Sequence, residues 1–146
     1  MKIGMGSDHG GYELKEFIKE YLETEKHEVV DYGTYSTESV DYPDYGEKVA
    51  KAVVEEEIEA GIIICGTGLG ISMAANKVDG IRAAVVSEEY SARMAKVHNN
   101  ANILAMGGRV VGKDLAKSIV DAYLNAEFEG GRHQKRIDKI MNIENR

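Results

Sequence analysis

The sequence carries one cysteine, one proline, no tryptophan and two phenylalanines in 146 residues. A single cysteine excludes an internal disulfide and a cysteine-rich zinc site. A lone thiol fits a cytoplasmic protein. The single proline, Pro43, reads as part of a local turn and marks no linker. No apolar run suggests a membrane span, and the N-terminus enters a strand almost at once, with no signal peptide read there. Positive charge is in deficit: 18 Lys and Arg stand against 25 Asp and Glu, a net charge of -7. That balance argues against a nucleic-acid surface. Low-complexity segments and internal repeats are absent too. The length fits one domain spanning residues 1–146, and 43% hydrophobic residues suffice for a core.

Glycine, in contrast, is plentiful, and three glycines organise the chain. Ile62-Ile63-Ile64 reads as a strand buried on both faces. It runs through Cys65 into Gly66-Thr67-Gly68-Leu69-Gly70, and a helix follows from about residue 71. A strand that breaks into glycines before a helix exposes a row of backbone N–H groups, backed by the positive helix end. Such a loop suits a phosphate, or an oxyanion that develops during a reaction. The spacing is not the G-x-G-x-x-G of dinucleotide folds, which weakens a nicotinamide reading.

Along the chain, hydrophobic periodicity predicts strands at 2–7, 28–32, 61–65, 81–86 and 102–106. Helices are predicted at 13–24, 45–57, 71–76, about 89–97, 113–124 and 133–143. Residues 33–44 read as a polar loop too long for a simple connection. Alternating strands and helices specify an α/β, Rossmann-like doubly wound sandwich with a five-stranded parallel sheet. Ligands in such folds sit beyond the carboxyl ends of the strands. There the chain places Asp8-His9-Gly10-Gly11, the Cys65 loop, Ser87-Glu88 and Gly107-Gly108-Arg109.

Each candidate has two readings. Cys65 is a general base or nucleophile, or a small core residue. Gly66, Gly68 and Gly70 form an anion nest or a tight turn. Thr67 gives its hydroxyl to a substrate, caps the helix, or does both. Asp8 and His9 serve a sugar hydroxyl and a phosphate, or are turn and surface residues. His98 and Asn99 close the fourth helix as a C-cap. Arg132 and Arg136 are a solvated face or hold an anion. Positive charge at a helix start is disfavoured, and residues 132–146 hold five Lys/Arg against two Asp/Glu. A helix after a parallel strand returns to the amino-terminal edge, so His98 is expected opposite its own Cys65. A catalytic His98 would therefore serve a neighbouring subunit, which places the active site across a two-fold dimer interface.

Seven stretches together carry a resemblance over nearly the whole length. They are Gly6-Ser7-Asp8-His9-Gly10-Gly11, Asp41-Tyr42-Pro43-Asp44-Tyr45, the run from Cys65 to Lys77, Gly80-Ile81-Arg82-Ala83, His98-Asn99, Gly107-Gly108-Arg109 and Glu129-Gly130-Gly131-Arg132-His133. The chain resembles the type B ribose-5-phosphate isomerases, of the family that includes galactose-6-phosphate isomerase subunits. The resemblance implies an aldose–ketose isomerase acting on ribose 5-phosphate and ribulose 5-phosphate, with no metal and no organic cofactor. It implies that Cys65 moves the proton between C2 and C1 and that amides from Gly66 through Gly68 and Leu69 to Gly70 hold the enediolate. Thr67 would shuttle protons between the oxygens. His98, with Asp8, would assist opening of the furanose ring, and Asn99 would bind the enediolate. His9, Arg109, Arg132 and Arg136 would clamp the phosphate, with Tyr42 and Asp44 lining the pocket. One branch of the family has a glutamate base at the position of Ile71; the chain resembles the cysteine branch. The implied state is a homodimer with shared sites, with tetramers left open, and no nucleic-acid or membrane partner. A six-carbon substrate (allose or galactose 6-phosphate), a nicotinamide-dependent oxidoreductase and a non-catalytic sugar-phosphate-binding module are the competing readings.

Overall fold

The computed structural model describes residues 1–146. Five strands, β1 (Lys2–Ser7), β2 (Glu28–Asp31), β3 (Ala60–Cys65), β4 (Ala83–Val85) and β5 (Ile103–Gly107), alternate with six helices. These are α1 (Tyr12–Thr24), α2 (Tyr42–Val54), α3 (Leu69–Ala75), α4 (Glu89–Val97), α5 (Lys113–Leu124) and α6 (Arg132–Asn142), with a 3-10 turn at Ile143–Asn145. All strand pairs are parallel, in the order β2-β1-β3-β5-β4.

This order, with right-handed crossovers, decides where the chain changes direction and which face each helix covers. The chain leaves β1 toward one edge and β3 toward the other, so the carboxyl ends of β1 and β3 flank a switch point. Reversal of direction also sorts the helices. On one face, Leu14, Ile18 and Leu22 of α1, Ala92 and Ala95 of α4 and Ile119 and Val120 of α5 pack with Ile62, Ile64 and Leu104. On the other, Val49 and Ala52 of α2 and Ile71 and Ala75 of α3 pack with Ile63, Cys65 and Ile103. The alternation along β3 thus turns Cys65 toward α2 and α3.

Glycines let α2 lie flush on the sheet. A Cβ at Gly6 would stand 2.8 Å from Val49 Cγ2, and one at Gly61 would stand 2.6 Å from Val49 Cγ1. One valine therefore nests where two strands have no side chains. Gly46 repeats the arrangement against α3, its Cβ position 2.8 Å from the Ile71 carbonyl oxygen.

Two helices start two or three residues before the sequence expectation, and β4 is shorter than the expected 81–86. α2 begins at Tyr42, so Pro43 lies in its first turn and not in a loop. Proline suits that place because a first-turn N–H has no helical acceptor to lose. α3 begins at Leu69, two residues before the expected start, and Gly70 lies inside it.

Lys15 is the largest surprise in the core. Its side chain is 0% exposed, with Nζ 2.7 Å from both carboxylate oxygens of Asp31. Asp31 also accepts from the Gly33 N–H at 2.9 Å. Asp31→Asn is expected to cost roughly 3–5 kcal/mol, because it strands a buried ammonium. Urea unfolding at pH 7 checks it, and a loss near zero would show that Glu16, 3.0 Å from Lys15 Nζ, suffices.

Candidate active site

Three strand ends build one corner. A Cβ on Gly10 would lie 3.1 Å from the Gly66 nitrogen, one on Gly107 would lie 2.7 Å from the Thr67 carbonyl carbon, and one on Gly108 would lie 2.5 Å from the Gly10 oxygen. The loops after β1, β3 and β5 therefore touch backbone to backbone, and a larger residue at any of these positions would part them. Gly68 has φ +81°, a left-handed turn that glycine adopts without strain.

Cys65 sits beneath this corner, 4% exposed, and its Sγ accepts the Gly68 N–H at 3.1 Å. The thiol is a member of the core and also lies against the glycine loop. The backbone N–H groups of Gly66, Thr67 and Gly70 meet no acceptor within the protein. α3 has only seven residues, so these individual amides, more than a helix dipole, supply the positive field. Thr67 is exposed, and its Oγ1 accepts from the Leu69 N–H at 3.2 Å. The Tyr42 ring covers Gly70, whose Cβ position lies 2.5 Å from ring carbon Cε1.

Charged and titratable groups surround the cradle. Asp8 is buried and fixes its own turn by accepting the Gly11 N–H at 3.1 Å. His9 accepts the Val40 N–H on Nδ1 at 3.2 Å, which leaves Nε2 to carry the proton outward. Arg109 lies over Gly66, with Nη1 3.2 Å from that residue's Cβ position, and makes no ion pair. An exposed apolar rim of Leu69, Val85 and Val110 adjoins Thr67.

The remaining candidates gather elsewhere. His98 is the C-cap of α4, as expected, and Asn99 follows it, exposed. Both stand near the amino end of the sheet, where Arg82, just before β4, donates from Nε to the Asn99 carbonyl at 3.2 Å and from Nη2 to that of Asn100 at 2.8 Å. Arg132 and Arg136 are exposed on the first turns of α6. His133 between them stacks on His98, ring centroids 4.2 Å apart. Within one chain, then, the structure brings Asp8, His9, Cys65, Thr67 and Arg109 together at one end. It brings His98, Asn99, Arg132 and Arg136 together at the other. Arg82 and His133 were quoted in the sequence motifs without a role. The signal for His133 was its i,i+4 spacing from Ile137, which makes a buried stripe on a charged helix.

Glu88, where an oxidoreductase would hold a ribose, is engaged otherwise. Its carboxylate accepts the Ser91 N–H at 2.9 Å as the cap of α4, and that bond holds its pKa below the usual range. No helix is long and apolar enough to cross a membrane.

Fold and corner together define a doubly wound α/β protein with a thiol and a loop of unengaged amides at its switch point. Residues 3–140 match the family described as Ribose/Galactose Isomerase, and the chain belongs to that family. It is 55% identical over 145 residues to ribose-5-phosphate isomerase B of Escherichia coli, covering 99% of this chain and 97% of that one. Among solved structures it is similar to ribose-5-phosphate isomerase B of Clostridium thermocellum, with TM-score 0.99, 63% identity and coverage of 99% and 98%. The Mycoplasma genitalium enzyme with bound ribulose-5-phosphate gives TM-score 0.93 at 47% identity, covering 99% and 96%.

Proposed function

We propose that the protein interconverts ribose 5-phosphate and ribulose 5-phosphate, at sites shared between two copies of the chain in the cytoplasm. The observation that carries this is the pairing of the Cys65 sulfur with unengaged amides at the switch point. A thiolate there removes the C2 proton of the open-chain aldose. The electron pair forms the C1–C2 double bond of an enediolate, whose oxygen is held by the Gly66, Thr67 and Gly70 N–H groups. The hydroxyl of Thr67 relays the proton between O1 and O2, and Cys65 returns a proton to C1. A general base of this kind contributes about 10²–10⁴-fold, and each oxyanion donor about 3 kcal/mol. His9 and Arg109 meet the phosphate from one chain, Arg132 and Arg136 from its partner. The partner's turn also brings His98 to open the furanose ring beside Asp8, and Asn99 to the enediolate. The exposed rim of Leu69, Val85 and Val110 supports a second copy packing there. The five-carbon substrate is chosen over allose or galactose 6-phosphate because the relatives above are named for ribose 5-phosphate and one holds ribulose-5-phosphate.

Purified protein in deuterated water with a chelator is expected to form ribulose 5-phosphate from ribose 5-phosphate and to place deuterium at C1. Phosphate-ester binding with neither conversion nor label would make the protein a sugar-phosphate sensor instead.

A further inference from the structure

The ring of His98 makes no hydrogen bond, although the mechanism above asks it to meet a sugar at a defined angle. What holds it is a second imidazole. His133, 6% exposed on the first turn of α6, lies parallel to it at 4.2 Å with 14° between the planes. The two backbones are tied, because the Glu129 N–H donates to the Val97 carbonyl at 3.0 Å and the His133 N–H to the Gly130 carbonyl at 3.1 Å. Ile137, one turn along α6, is buried with His133, so the platform is anchored from below.

We propose that His133 is a positioning residue, a flat buried platform that fixes the His98 imidazole for ring opening. This rests on the isomerase reading above. Burial, then the neighbouring His98 and Arg132, hold His133 below the ordinary imidazole range, against the opposing pull of Glu129. That lowering favours the neutral form of His133, which presents a flat aromatic face to the His98 ring. Glu129 on the preceding strap, Arg132 and Arg136 on α6 and His98 at the end of α4 are the charged groups facing His133. His133 Nε2 is buried without a hydrogen bond, and Glu129 Oε1 stands 3.7 Å away. Donor atoms of His98, Glu129 and His133 lie within 4.8 Å of one another. Parallel rings nevertheless send their in-plane lone pairs along separate planes, so the pair is a stack and not a chelate.

Two substitutions and two assays test this. His133→Leu fills the buried space without a flat face; His133→Phe keeps the face and removes both nitrogens. One assay follows conversion of ribose 5-phosphate, which must open its ring. The other follows deuterium entering C1 of ribulose 5-phosphate, an open-chain ketose that needs no ring opening. His133→Leu is expected to slow the first roughly tenfold to a hundredfold, the cost of an angstrom-scale misplacement, and to leave the second within about threefold. His133→Phe is expected to recover most of the first. An equal fall in both assays, or a Phe variant no better than Leu, overturns the platform role. Wild-type protein that exchanges no deuterium overturns the isomerase reading itself, and the two failures are therefore distinct.

Discussion

Cys65→Ala is expected to lose nearly all turnover, by about 10²–10⁴-fold, while the protein keeps its fold and still binds phosphate esters. Sulfur at this position touches Gly68 N–H and the α2/α3 side of the core. Alanine there removes one small atom from a site of 4% exposure, so the stability change should stay near 1 kcal/mol. His9 and Arg109 are untouched, so calorimetry with a non-isomerisable sugar phosphate should give near-native affinity. Deuterium exchange at C1 is the sharper readout, because it sees only proton transfer at carbon. Exchange retained within tenfold would move the base to another group.

A second large effect concerns two dead proteins made live. Cys65→Ala and His98→Asn, each nearly inactive, are expected to recover activity when co-expressed. The two side chains stand at opposite ends of one sheet, so a shared site takes one from each copy. In a two-fold dimer, random pairing yields half heterodimers, each with one intact site, and hence about a quarter of wild-type activity. Separately purified variants mixed under conditions where dimers do not exchange serve as the baseline. No gain on co-expression would mean that each chain works alone, and the division of labour across the interface would fall.

Much of this was legible before any coordinates. Residues 113–124 read as a helix because Leu115, Ile119, Val120 and Tyr123 repeat at helical spacing, and α5 spans that range. The gathering of Asp8, His9, Cys65 and Arg109 followed from parallel strands alone, whose carboxyl ends must share an edge. Strand order was not legible: apolar runs say that strands are buried, not which strands are neighbours, and β5 slipped between β3 and β4 unannounced. The start of α2 was hidden by a polar run rich in Ser, Thr and Tyr, where only Pro43 after the extended Asp41 marked it. The buried place of Lys15 was not legible, because its partner Asp31 belongs to another element and no local pattern links them. The imidazole stack was hidden for the same reason, its rings coming from separate helices.

The flush seat of α2 reaches further than the core. Tyr42, which roofs Gly70, is the first residue of that helix, and Val49 sets the helix's height by nesting over Gly6 and Gly61. A methyl group at either glycine would act as a shim, tilting a rigid rod whose far tip is the Tyr42 ring over the glycine loop. The clearance between that ring and Gly70 is thus set several residues away, down in the sheet itself.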